Sequence, residues 1–162
     1  LDGNNGCGNS SLIKSILAQV NGKTERELNY EITGTLSVVS GLKISYISQE
    51  TSHLRGTLKA YAEKNDIDYT LLLTLLRQLD FSRVQFGKDM IEFSEGQKKK
   101  VLIASSLLTP AHIYIWDEPL NYIDVFSRMQ IEKLLMHYAP TMLLVEHDVK
   151  FKETLSTKLV KM

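Results

Sequence analysis

Between residues 10 and 20 the apolar positions Leu12, Ile13, Ile16, Leu17 and Val20 recur at intervals of three and four, the period of one helix face, and Gly22 closes the run. After a loosely alternating stretch through Ile32, Leu36 and Val38, the tract at 43–48 alternates as a strand that stops at Gln49. Residues 57–79 return to helical spacing in two pieces, broken at Asn65 and Asp66, with Leu71, Leu72, Leu75, Leu76 and Leu79 on the second. A helix is predicted over 94–108, with Ser94 as its N-cap and Thr109-Pro110 as its stop. Strands at 112–116 and 142–145 enclose a further helix at 125–138, and a short last strand is predicted at 158–162.

Strands that alternate with helices predict an α/β fold whose parallel sheet is doubly wound, and the segment at about 54–95 reads as a short helical insert. No internal repeat or low-complexity linker interrupts it. The chain opens at Leu1 without a methionine and enters a glycine-rich loop two residues later, which predicts a single partial domain over 1–162, truncated at its N-terminus.

Composition narrows the classes of function. With 162 residues, 43% of them hydrophobic and 23% charged, the chain has the make-up of one ordinary soluble domain with a core. Lysine plus arginine number 19, as do aspartate plus glutamate, so no basic excess is present to hold a nucleic-acid backbone unaided. One cysteine, Cys7, excludes an internal disulfide and a cysteine-rich metal site; a reducing cytoplasm fits best. The apolar runs fall far short of the ~20 residues a bilayer-spanning helix needs, so membrane insertion is not expected.

The chemistry concentrates at strand ends and helix starts. Asp117 and Glu118 follow the apolar strand that ends in Trp116, where an α/β sheet places metal and water chemistry; one carboxylate can hold magnesium while the next acts as a general base. A solvated strand-to-loop boundary is the plain alternative. His147, after the next apolar strand, falls on the same edge of the sheet, and Gln49 offers an amide for magnesium or for a lytic water. Gly3-Asn4-Asn5-Gly6-Cys7-Gly8-Asn9-Ser10 matches a phosphate-binding loop at both outer glycines and at the terminal hydroxyl, with asparagine where lysine is expected. Asn5, Gly6, Cys7, Gly8, Asn9, Ser10 and Ser11 are the candidate phosphate-binding residues, with Ser10, Gln49 and Asp117 as magnesium ligands; a glycine-rich turn capping a helix would look similar. Ser94, Gly96 and Gln97 form a small polar helix start suited either to a phosphate or simply to capping. Lys98-Lys99-Lys100 opposes the helix dipole and reads as solvated side chains, with ribosomal RNA contact as the alternative.

In this order and spacing the set resembles the ATP-binding cassette (ABC) ATPases, P-loop NTPases. The correspondence is a Walker A-like loop through Ser11, a Q-loop Gln49, a signature from Phe93 to Gln97, a Walker B strand ending in Asp117-Glu118, a D-loop through Asp124 and a switch His147. The short insert and the run from Trp116 to Asp124 resemble the ABC-F branch. Phe93 to Val101 and the stretch from Tyr114 to Met129 are similar to the second cassette of ribosome-protection proteins conferring lincosamide, pleuromutilin and streptogramin A resistance.

The resemblance implies a cytoplasmic cassette that binds ATP and Mg2+ and hydrolyses ATP with a second cassette, upstream in the same polypeptide. Glu118, His147 and Gln49 would be catalytic toward locally bound ATP. Ser94, Gly96, Gln97 and Asp124 would act at nucleotide shared with the partner cassette, and ribosome contact would lie outside 1–162. Two departures bear on activity. Asn9 removes the loop cation, a loss of about 1.5–3 kcal/mol or about one to two decades of ATP affinity, and Lys14 points away from the loop at ~100° per residue. Glu95 adds a carboxylate where glycine is common. Two other expectations stay open: the nucleotide-binding domain of an ABC membrane transporter, and a catalytically silent cassette that acts as a binding module.

Overall fold

A computed structural model describes residues 1–2, 8–22, 30 and 33–161. Its centre is a parallel sheet of β1 (Ile44–Ile47), β2 (Ile113–Asp117) and β3 (Met142–Val145) in that spatial order. The register pairs Ile47 with Trp116 and Asp117 with Val145, so the carboxyl ends of all three strands finish on one edge.

Alternation along the strands sends side chains to two cores. On one face Ile115 and Val145 pack against Ile13 of α1 (Asn9–Val20). On the other, Ile47 and Trp116 join a larger cluster built from α2 (Leu58–Lys64), α3 (Tyr69–Gln78), α4 (Glu95–Leu108) and α5 (Val125–Tyr138). Helices therefore cover both faces, the doubly wound arrangement the alternating pattern predicts. The helical insert is continuous with this core: Leu58, Leu72, Leu76 and Met90 are fully buried in the cluster that holds Trp116.

Local chemistry sets the helix ends. Thr57, Asp68, Ser94, Asp124 and Asp148 each accept a backbone N–H from the first turn of the helix they precede, and Ser94 with Gln97 completes a reciprocal capping box. α4 is buried nearly all round from Lys99 to Ser106, which explains why its apolar stripe is weak.

One predicted strand needs correction, and two segments gain a description. The strand at 158–162 reduces, among the described residues, to an isolated parallel bridge between Asp2 and Lys161; one rung cannot propagate a ladder. No regular element forms among the described residues of the stretch through Leu36 and Val38, while Ile32 lies outside them. A sixth helix, α6 (Val149–Leu155), is present that the pattern did not predict; its seven residues bury Phe151 alone, and Asp148 caps it.

Candidate functional site

The rim of the sheet gathers groups far apart in the chain. α1 begins after Gly8, which has φ 105° and offers no side-chain cap, so no side chain among the described residues caps the first N–H groups of the helix. From that first turn Ser10 Oγ donates to Asp117 Oδ2 at 3.1 Å, and Gln49 Nε2 donates to Asp117 Oδ1 at 3.4 Å. Asp117 is 3% exposed and has no salt bridge among the described residues. A buried carboxylate with only neutral donors in contact calls for a cation. The phenol of Tyr46 on β1 is pushed up to about 12 by burial and by the charge of Asp117, so it faces that carboxylate in its neutral form.

Glu118 follows directly, with a left-handed backbone at φ 49°, its N–H donating to Val145 O at 2.9 Å. Its carboxylate is held at both oxygens: Oε1 lies 3.3 Å from His147 Nε2, and Oε2 accepts from Asn121 Nδ2 at 2.7 Å. Glu146, 4% exposed, fixes the neighbouring loops by accepting from the backbone N–H groups of Leu120, His147 and Asp148. Arg128 closes the same loop, donating to the carbonyls of Leu120 and Ile123 and pairing with Asp148 at 3.0 Å.

The structure thus brings Ser10, Gln49, Asp117, Glu118 and His147 to one edge. Asn9 is 9% exposed, and its Oδ1 has no hydrogen-bond partner among the described residues. Ser11 is exposed on the first turn, its carbonyl engaged by Ser15 and Tyr30. Asn5, Gly6 and Cys7 lie outside the described residues.

Ser94, Gly96 and Gln97 sit at the start of α4, where no side-chain hydrogen bond among the described residues joins them to the Asp117 cluster. Gly96 is dictated by close approach: a Cβ there would stand 2.3 Å from the Tyr122 carbonyl oxygen. Asp124 caps α5 and pairs with Lys100 at 2.7 Å. Burial works to raise its pKa and is outweighed by hydrogen bonds from Lys100 and Ser127, which bring it down to about 2.

The lysine run is the clearest correction. Lys99 is 2% and Lys100 7% exposed, and neither is a solvated surface charge. Lys99 Nζ donates to Ser48 O at 2.9 Å and approaches Glu118 O at 3.5 Å. Lys98 pairs at 3.1 Å with Glu95, which also accepts from Thr51 Oγ1. Those contacts hold the Glu95 carboxyl below its usual range, the Thr51 hydrogen bond first and Lys98 second. Sequence reasoning missed Thr51, Lys99, Asn121, Arg128 and Glu146; only the position of Glu146 beside His147 carried a signal.

The residues fit a magnesium ion. Ser10, Asp117 and Gln49, the last with its amide turned, form an oxygen-donor set with one carboxylate, the kind that holds a magnesium ion still bound to water and phosphate. No group of three His, Cys, Asp or Glu side chains suited to a metal occurs among the described residues.

A helix N-terminus opposite an acidic strand end, in a doubly wound sheet, is the architecture of a P-loop nucleotide-binding domain. The chain belongs to the ABC transporter family, whose profile matches residues 1–121, and this is a family of ATPases. Over 98% of its length it is 30% identical to the ATP-binding protein Uup of Buchnera aphidicola, covering 26% of that protein. It is also 30% identical to the ribosome protection protein VmlR of Bacillus subtilis, covering 28% of it. Uup and VmlR are ABC-F proteins, in keeping with the ABC-F resemblance of the sequence. Among solved structures, an archaeal ribosome recycling factor, aABCE1, in complex with the ribosomal stalk protein aP1 superposes with a TM-score of 0.71 at 27% identity. That match covers 97% of this chain and 30% of the other. A putative cobalt transport ATP-binding protein shares the fold, at TM-score 0.67 and 21% identity, over 94% of this chain and 59% of that one. The chain therefore spans little more than a quarter of the curated relatives described. No helix among the described residues is long and apolar enough to cross a membrane.

Proposed function

We propose that residues 1–162 form part of one cassette of a longer, cytoplasmic ABC-F ribosome-protection protein that confers antibiotic resistance. The cassette binds Mg-ATP and hydrolyses it at a composite site with a second cassette of the same polypeptide. The observation that carries the proposal is the convergence of Ser10, Gln49 and Asp117 beside the Glu118–His147 pair at the carboxyl edge of the sheet. The names of VmlR and of the archaeal recycling factor support the ribosomal setting.

In this reading the first N–H groups of α1 would bind phosphate oxygens, and Ser10, Asp117 and Gln49 would hold magnesium, which would supply positive charge to the phosphates. Glu118 accepts the proton of the attacking water. His147 and Asn121, each on one of its oxygens, fix where that carboxylate points. At the start of α4, Ser94 accepts from Gln97 N, and its own O–H meets no acceptor among the described residues, so Ser94 and Gly96 would be available to ATP held by the partner cassette.

Asn9 supports a second reading, a silent cassette that binds partners without turnover, because its buried side chain offers no positive charge to a phosphate. Calorimetry of Mg-ATP with the full protein and its Asp117→Ala variant tests the main proposal. Binding that depends on both magnesium and Asp117 is the expected result. Nucleotide binding indifferent to Asp117 would remove the rim from function.

A further inference from the structure

β1 and β2 end side by side, Ile47 opposite Trp116, and the residues that follow them carry Gln49 and Glu118. Neither strand continues, and among the described residues no backbone N–H reaches the carbonyl of Ser48 or of Glu118. The Lys99 ammonium, rising from the second turn of α4, meets both, at 2.9 Å and 3.5 Å. It is 2% exposed in a protein where lysine is normally solvated. Burial holds its pKa below the ordinary lysine value, and the carboxylates of Asp117, Glu118, Glu95 and Glu146 offset that only in part. Glu118 itself holds the left-handed backbone at φ 49°, which a residue with a side chain adopts only when its surroundings impose it. One of those surroundings is Val145 O on its N–H; the other, on its carbonyl, is Lys99.

We infer that Lys99 is a positioning residue: its ammonium clamps the ends of β1 and β2 together, keeps Gln49 within reach of Asp117, and holds Glu118 in the left-handed conformation that aims its carboxylate at His147. A flexible ammonium with three donors can serve two separate carbonyls, whereas the thioether of methionine donates to neither and the shorter glutamine reaches less far. The consequence for catalysis rests on the ATPase reading above; the consequence for the backbone does not.

The test compares Lys99→Gln, Lys99→Met and Lys99→Arg in the full protein, with two readouts. In ligand-free protein, amide hydrogen exchange at Glu118 should rise by about tenfold or more in the Gln and Met variants, stay unchanged at Leu143 in β3, and return toward the parent value in the Arg variant. In steady-state ATPase assays, kcat should fall by about tenfold or more while KM stays within about threefold, with partial rescue by arginine. Unchanged exchange at Glu118 in a folded Gln variant overturns the inference, as does a fall in kcat that simply follows loss of melting temperature. Faster exchange at Glu118 in a protein that never hydrolyses ATP would uphold the clamp and sink the ATPase reading instead.

Discussion

Glu118 Oε1 and His147 Nε2 stand 3.3 Å apart, across the ends of β2 and β3. The parallel register makes the contact: Asp117 pairs with Val145, so the residues that follow each strand emerge at the same level. Because Asn121 occupies the second Glu118 oxygen, the carboxylate has little rotational freedom left. Exchanging Glu118 for glutamine keeps that shape and removes the proton acceptor. In the full protein, Glu118→Gln is expected to lower phosphate release by about 100-fold or more while leaving the dissociation constant for Mg-ATP within about threefold. Unchanged turnover in that variant would exclude Glu118 as the base.

Gly96 offers a test independent of nucleotide. Alanine there would press its methyl group against the Tyr122 carbonyl oxygen, a backbone atom that cannot rotate away. The loop already carries left-handed residues at Glu118 and Tyr122. Gly96→Ala is expected to cost about 1–3 kcal/mol, a drop in melting temperature of about 2–4 °C per kcal/mol at this chain length. A variant that melts with the parent would show that α4 and the loop can separate without cost.

Much of this architecture is legible from residue order because each element carries a local signature. β3 occupies the predicted interval at 142–145, and α5 the predicted one at 125–138, since a short apolar run and a three-four period are each readable in isolation. The lysines at 98–100 fail that test for a physical reason. What buries Lys99 is a pair of carbonyls, on Ser48 and Glu118, that no window around α4 contains. α6 escaped because seven residues with one buried apolar side chain have no period to detect. The convergence of Ser10 and Gln49 on Asp117 follows from strand order, which motif spacing implies only through the family resemblance.

The sole tryptophan makes a buried hydrogen-bond chain measurable. Trp116 Nε1 donates to Ser106 Oγ at 2.9 Å, and that hydroxyl lies 2.7 Å from Ser45 Oγ, linking β2, α4 and β1 inside the core. Ser106→Ala strips the indole N–H and the Ser45 hydroxyl of their shared partner. A loss of about 1–3 kcal/mol is expected, read as a lower urea midpoint by Trp116 fluorescence. A midpoint equal to the parent's would mean that another acceptor takes over.

Stability should also carry an acid-side signature from Asp124. Its pKa lies at about 2 in the folded chain against 3.8 ordinarily, so the folded state binds its proton less readily than the unfolded one. The contribution is then fully present above about pH 4 and is lost as pH falls toward 2. Asp124→Asn keeps a capping oxygen but removes the charge facing Lys100. The stability gap between parent and variant is expected to be widest near neutrality and to close over that interval. A gap independent of pH would assign the effect to capping geometry alone.

Asn9 separates an impaired cassette from a silent one. Its side chain is buried at the start of α1, on the helix that carries Ser10 to Asp117, while Lys14 on the same helix is exposed and cannot supply the missing charge. Asn9→Lys would place an ammonium where the resemblance implies one for the β- and γ-phosphates, and the acids at the end of β2 lower the cost of burying it. One charge-assisted contact is about 1.5–3 kcal/mol, so affinity for Mg-ATP in the full protein is expected to rise by about one to two decades, with turnover rising as well. The Asn9→Lys,Asp117→Ala double variant should lose most of that gain, because the ammonium and the magnesium ion act on the same phosphates. If the single variant gains neither affinity nor turnover, the rim serves partner binding and the silent reading replaces the catalytic one.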